Sequence, residues 1–317
     1  MKGIVSIIGG INIDIKGIAD SESVESDSHP GNIHLSPGGV ARNIAENLSL
    51  LGSNVKLFGC VGDDEFGRII LERNDSAGVN SEGVIITSTV STSVYLSVTN
   101  KSKDFHYAVN DTQRTSDLVT VDYIRNNSPA LKESIMIVLD TNLNADALNE
   151  AVSIANENGI PVFIDVVSAE KSARVKEIDG HVDFLSVNKT EYRRLFGGED
   201  GIADISKFGE REDHRKYSVI ILKKDKDGAD LLEIADGRVH RFKPILTDAV
   251  ETNGAGDAFN AGFIFSILRK EQCDDRIVTA GKFGICASWF ALQSYDSVSE
   301  FLTRAKLMEL YEQYVMQ

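Results

Sequence analysis

Short, continuous apolar runs alternate with amphipathic stretches along most of this chain. Ile4–Ile8, Val55–Val61, Ile135–Leu139, Pro161–Ile164, Phe184–Val187 and Val219–Leu222 are brief and rich in β-branched residues, which predicts strands. Between them Val40–Leu51, Phe66–Ala77, Ala145–Glu157 and Ser168–Ile178 repeat apolar positions with the helical period. Strands that are apolar on both faces and alternate with helices predict βαβ units, so the fold class is α/β: a doubly wound, three-layer, mainly parallel sheet. Leu231–Ile234 and Val239–Phe242 flank Asp236-Gly237, a hairpin signal with both turn positions expected at positive φ. From Ala255 onward the pattern is helical.

Two stretches break this rhythm. Ser91–Thr99 alternates Val94, Leu96 and Val98 with polar residues, turns through Asn100–Asp104 and resumes with Phe105, Tyr107 and Val109, as a β-hairpin does. Ile15–Leu35 is polar, with its low-complexity run Ser21–Ser28, and predicts irregular or strand structure beside that hairpin. Together they predict a small β lid, built from about 15–35 and 91–110, over a cleft at the carboxyl ends of the strands; a surface hairpin away from any ligand is the alternative. No internal repeat appears, and the whole length, 1–317, reads as one decorated domain.

Composition narrows the class. A formal net charge of −15 repels nucleic acid and anionic membrane, so neither is an expected partner. The cysteines Cys60, Cys273 and Cys286 have unrelated spacings, which suits reduced thiols in a cytoplasmic protein rather than a disulfide framework or a zinc site. The opening run ends too soon for a signal peptide, and no stretch reaches the ~18 apolar residues of a membrane span.

Three motifs carry candidate chemistry. Glu251-Thr252-Asn253-Gly254-Ala255-Gly256-Asp257 leads into the apolar helical run Phe259–Leu268, so the amides of Gly254, Ala255 and Gly256 at the helix start form a candidate anion site. Asp257 reads equally as a base that takes a hydroxyl proton and as a helix cap. Gly38-Gly39 opens a second helix with Asn43 one turn in, a pattern that suits vicinal hydroxyls but also an ordinary turn; Asn12 and Asp14 lie just past the first strand. Asn188 and Glu191 face one way, toward a candidate Mg²⁺ shell of water and phosphate, and are equally a helix-start signature. There is no G-x-x-x-x-G-K-[ST] loop and no G-x-G-x-x-G after the first strand, the histidines lack metal spacing, and Asp225–Asp230 has its glycine misplaced for a calcium loop.

In this order, Asn12/Asp14, Gly38-Gly39 with Asn43, Asn188 with Glu191 and Gly254-Ala255-Gly256-Asp257 resemble the ribokinase-like (PfkB-type) carbohydrate kinases, over nearly the whole chain. Cys60–Gly67 is similar to a recurrent segment of that family. Ile8–Gly17, Gly38–Leu51, Ala108–Asp111, Asp140–Leu143 and Asp165–Ser168 with Lys171 are similar, within it, to pseudouridine kinases. The resemblance implies ATP, Mg²⁺ and a monovalent cation such as K⁺, a nucleoside or sugar as acceptor, and a homodimer formed through the lid. It implies Asp257 as base beside the glycine turn, and Asn12, Asp14, Gly38, Gly39, Asn43 and Asn142 around the ribose. It implies Asn188, Glu191, Lys223 and Gly228 at the nucleotide, with Asn188 and Glu191 reaching Mg²⁺ through water. A general sugar kinase, and a weakened ligand-binding protein, are the alternatives. Three positions depart from the family: Glu251 replaces Asp, Lys223-Lys224-Asp225 replaces Thr-x-Gly, and Val166 replaces Pro.

Overall fold

The computed structural model describes residues 3–22, 28–102, 106–197, 205, 216–269 and 275–316. Cys273, residues 23–27 of the polar run and residues 103–105 of the hairpin turn lie outside the described residues. The chain begins with β1 (Ile4–Ile8), then β2 (Asn12–Ala19), β3 (Gly31–Gly38), α1 (Val40–Leu50), β4 (Asn54–Gly62), α2 (Glu65–Ser76), β5 (Asn80–Thr87), β6 (Val94–Thr99) and β7 (His106–Asn110). Three short helices follow, α3 (Gln113–Ser116), α4 (Val121–Asn126) and α5 (Ser128–Lys132), then β8 (Ser134–Asp140), α6 (Ala145–Glu157), β9 (Val162–Asp165), α7 (Ala173–Lys176), β10 (Val182–Asn188) and α8 (Lys189–Phe196). The last part holds β11 (Tyr217–Lys223), β12 (Ala229–Glu233), β13 (Val239–Phe242), α9 (Ala255–Leu268), α10 (Arg276–Leu292) and α11 (Arg304–Val315).

The large sheet runs β13-β12-β11-β10-β9-β8-β1-β4-β5, parallel from β11 to β5 and antiparallel at the β12 and β13 end. Its apolar runs feed both faces. Ile7, Leu57, Val138 and Ile221 join one core with α1, α9 and α10, while their neighbours Ile8, Phe58, Leu139 and Leu222 join a second core with α6 and α8. This two-sided burial is why these strands read as unbroken hydrophobic runs. Helix α9 is buried almost throughout and packs between α1 and α10, which explains its apolar character on every side. Chain order reverses between β1 and β8, so a crevice opens at their carboxyl ends.

A second, four-stranded sheet runs β3-β2-β6-β7. The predicted hairpin is β6 and β7, paired antiparallel, and the polar stretch before it supplies β2 and β3. Asn12 and Asp14, just past β1 as expected, therefore stand on the first strand of this small sheet. Two expectations are corrected. Of Ser168–Ile178 only α7 is helical among the labelled elements, because Ser168 and Ser172 turn their hydroxyls back onto the local backbone. In the β12–β13 turn Gly237 alone takes positive φ, +70°, and its amide closes onto Glu233 O at 3.0 Å.

Candidate functional site

The glycines around the crevice are set by what stands against them. A Cβ on Gly38 would lie 2.4 Å from Asp14 Oδ1, and one on Gly39 would lie 2.4 Å from Gly10 O. Gly38 thus makes room for the Asp14 carboxylate, and at Gly39 the start of α1 meets the turn between β1 and β2 backbone against backbone. Fully buried Asp140, at the end of β8, organises the same point: its carboxylate accepts from the amides of Gly10 and Ala41 at 2.9 Å each and from Asn142 N at 2.9 Å. Burial holds its proton affinity above the ordinary carboxylate value even so.

Asp14 points into the interior. Asn12 Nδ2 donates to its Oδ1 at 2.7 Å and Ser297 Oγ to its Oδ2 at 3.0 Å, while burial raises its pKa against both. Asn142 accepts from Lys171 Nζ at 2.5 Å, and that ammonium also donates to Thr112 Oγ1 at 3.1 Å, so Lys171 belongs to the crevice.

Helix α9 starts at Gly254 in the left-handed region, φ +81°, with Ser297 O 1.9 Å from where a Cβ would stand. Glu251 feeds this turn by accepting from Thr252 N at 2.7 Å and Asn253 N at 3.4 Å, and lies 3.8 Å from Lys16 Nζ. Asp257 is the third residue of α9, and Asn43 Nδ2, from α1, donates to its Oδ2 at 2.9 Å. Burial, with Asp165 adding to it, pushes the Asp257 carboxyl up to about 7, while Asn43 and Lys223 pull the other way.

Behind Asp257 runs a polar network that sequence reading missed. Asp165, ending β9, accepts from Lys223 Nζ at 2.7 Å and Asn260 Nδ2 at 2.7 Å, and Ser186 Oγ donates to Asn260 Oδ1 at 2.7 Å. Burial presses the Lys223 ammonium toward neutrality, but Asp165, Glu191 and Asp257 outweigh it and raise its pKa. The legible signal was an apolar strand ending in Asp, which occurs at both β8 and β9. Lys224 pairs with Asp230 at 2.6 Å, so both lysines of the departing segment have carboxylate partners of this chain. Gly228, at φ +83°, lets the chain pass Phe242 O, 2.0 Å from a would-be Cβ. Val167, beside the substituted Val166, holds φ +60°, a strained setting for a β-branched residue.

Asn188 and Glu191 close a capping box at α8: Asn188 Oδ1 accepts from Thr190 N and Glu191 N at 2.9 Å each, and Glu191 Oε2 accepts from Asn188 N at 2.8 Å. Burial, then Asp165, raises the Glu191 pKa. Both residues also line a cavity of about 410 Å³, together with polar Asp165, Lys223 and Asp257, with Gly256, and with apolar Ile245, Trp289 and Leu292. A surface depression of about 580 Å³ lies apart, lined by Arg125, Asp146 and Glu150, where an Arg125–Glu150 ion pair faces solvent.

A cavity lined by both charged and apolar side chains suits a small polar ligand, and comparison with known proteins shows the family. The pfkB family carbohydrate kinase model matches residues 3–301. The uncharacterized sugar kinase YeiI of Escherichia coli (strain K12) is 34% identical over 271 residues, which span 83% of this chain and 72% of that protein. The pseudouridine kinase of the same organism is 33% identical over 262 residues, 82% of each chain. The structure of ribokinase from Giardia lamblia matches with a TM-score of 0.85 at 16% identity over 99% of this chain and 100% of that one. Arabidopsis thaliana ribokinase complexed with ribose and ATP matches with a TM-score of 0.81 at 18% identity, over 98% and 99%. At those identities the structural likeness shows the ribokinase-like fold, and the sequence matches show the rest: the chain is a sugar or nucleoside kinase and belongs to the pfkB carbohydrate kinase family.

Proposed function

We propose that this kinase transfers the terminal phosphoryl group of ATP to the 5′-hydroxyl of a ribosyl compound, pseudouridine first among them. The observation that carries the reading is Asp257, partly accessible from the cavity and held through one oxygen by Asn43. A 5′-hydroxyl brought to the other oxygen gives up its proton there while it attacks phosphorus. The glycine turn Gly254-Ala255-Gly256, at the positive end of α9, faces the charge that develops on the transferring group. Asp14 accepts from ribose hydroxyls, with Asn12, Gly38, Gly39, Asn43 and Asn142 closing around the sugar. The base of ATP packs on the apolar lining, Ile245, Trp289 and Leu292, and its phosphates lie toward Lys223 and Gly228.

Asn188 and Glu191 offer oxygen donors beside Asp165, a set of hard ligands that suits the water shell of Mg²⁺. When bound, Mg²⁺ neutralises charge on the phosphate oxygens. The small sheet serves as the lid, since Asp14 reaches the site from β2. Its outer face carries exposed Ile33, Leu35, Leu96, Tyr107 and Val109, and there we place a second copy of the chain.

Similarity to YeiI, an uncharacterized sugar kinase, supports a second acceptor class, a free sugar. Side-by-side assays on pseudouridine, uridine, ribose and fructose decide between them. Turnover of pseudouridine is expected, and Asp257→Asn is expected to lose roughly 10²–10⁴-fold in kcat while folding normally. Good turnover of a free sugar with none of pseudouridine refutes the narrower reading.

A further inference from the structure

Beneath the site runs a buried polar chain that the transfer chemistry leaves unexplained. Arg42, at the start of α1, is 1% exposed, and Glu46, one turn on, is 0% exposed. Taking a guanidinium out of water is costly unless its donors are met, and here each arm is used. Nη2 pairs with Glu46, Nε donates to Asn74 Oδ1 at 3.2 Å, and Nη1 donates to Pro37 O and to Asn43 Oδ1, each at 3.2 Å. Arg73 Nε in turn donates to Glu46 Oε1 at 2.6 Å.

The link to Asn43 has a chemical direction. An asparagine amide has one accepting and one donating end, and arginine only donates. With Arg42 on the oxygen, the nitrogen must face Asp257, where it donates at 2.9 Å. A flipped amide would set NH₂ against a guanidinium and a carbonyl against a carboxylate, which exchanges two attractions for two repulsions. The main chain is pinned as well, since Asn47 Nδ2 donates to Asn43 O at 2.8 Å. We propose that Arg42 is a positioning residue for phosphoryl transfer: it locks the Asn43 amide so that its nitrogen holds one oxygen of Asp257 and the other oxygen stays turned to the acceptor hydroxyl.

This inference rests on the assignment of Asp257 as base, and the two fail differently. Arg42 also lends positive charge to Asp14, and an effect by that route would appear in the acceptor KM instead. The test is a double-mutant cycle on the full chain with ATP, Mg²⁺ and the acceptor it turns over, with melting temperatures recorded. Arg42→Lys keeps a cation for Glu46 but loses the Nη1 donor, and its kcat is expected to fall about tenfold with acceptor KM within about twofold. In an Asn43→Ala background the same change is expected to add less than about twofold, since nothing remains for Arg42 to orient. Multiplying losses, a loss confined to KM, or no loss overturns the role. Should Arg42→Lys not fold, Arg73→Met, on the partly exposed outer side of Glu46, tests the same chain. Its smaller kcat loss must likewise vanish with Asn43→Ala, and its persistence there overturns the role. Near-normal turnover by Asp257→Asn overturns the base and the positioning role together; an inactive Asp257→Asn with a multiplicative cycle overturns the positioning role alone.

Discussion

Around Asp257 one ammonium, Lys223, answers three carboxylates, Asp165, Glu191 and Asp257 itself. With its carboxyl pushed up to about 7, Asp257 in the proposed role of base is active only when it has lost its proton, above that pH. On that role kcat/KM is expected to rise with pH through about 7 and to level above it. Lys223 pulls the Asp257 pKa down, so Lys223→Met is expected to carry the rising limb to higher pH and to lower kcat at neutral pH. A pH–rate profile on both proteins checks this, and an unmoved limb would separate Lys223 from the base.

At the start of α9, two glycines only two residues apart are held to different tolerances. Gly254 combines φ +81° with backbone 1.9 Å from a would-be Cβ, the carbonyl of Ser297. The nearest atoms to a Cβ on Gly256 all belong to the Lys223 side chain, Nζ first at 3.2 Å. Gly254→Ala is thus expected to destabilise by about 2 kcal/mol or more, and to displace Ser297 from Asp14. Gly256→Ala is expected to fold with a near-normal melting temperature and to lose turnover, because the methyl crowds the ammonium. Thermal melts with single-turnover assays separate the two. At α8 the helix-start reading of Asn188 and Glu191 is realised as a capping box, and both residues also line the cavity.

At the scale of the molecule, charge and apolar surface point to different partners. The net charge of −15 disfavours polyanions, and among the described residues no helix is long and apolar enough to cross a membrane. The small sheet is different. Leu35, Ile15, Leu96 and Val109 stand in one cross-strand row, and Ile33, Gly17, Val98 and Tyr107 in the next. Ile33 is 80% and Tyr107 63% exposed on that face, an apolar surface of the kind that marks contact with another chain. If a second copy covers it, the protein elutes at twice its 34.6 kDa, and Ile33→Glu with Tyr107→Glu elutes at the monomer mass. A wild-type monomer at all concentrations would exclude this assembly.

Read from sequence alone, the apolar runs and helical periods determined the order of elements and the parallel sheet, and the glycines before Asp257 marked a turn that suits an anion. These are local signals, set by backbone freedom and by which face a residue must bury. Local signals put Asn12 and Asp14 just past the first strand, where they stand, but did not show that they open a strand of a second sheet. Tertiary structure alone decided which side chains meet. Asn43 reaches Asp257 across 214 positions, Ser297 reaches Asp14 across 283, and Lys223 reaches Asp165 across 58. Spacing along the chain carries no trace of such pairs, since they form only when βαβ winding brings the carboxyl ends of separate strands to one crevice.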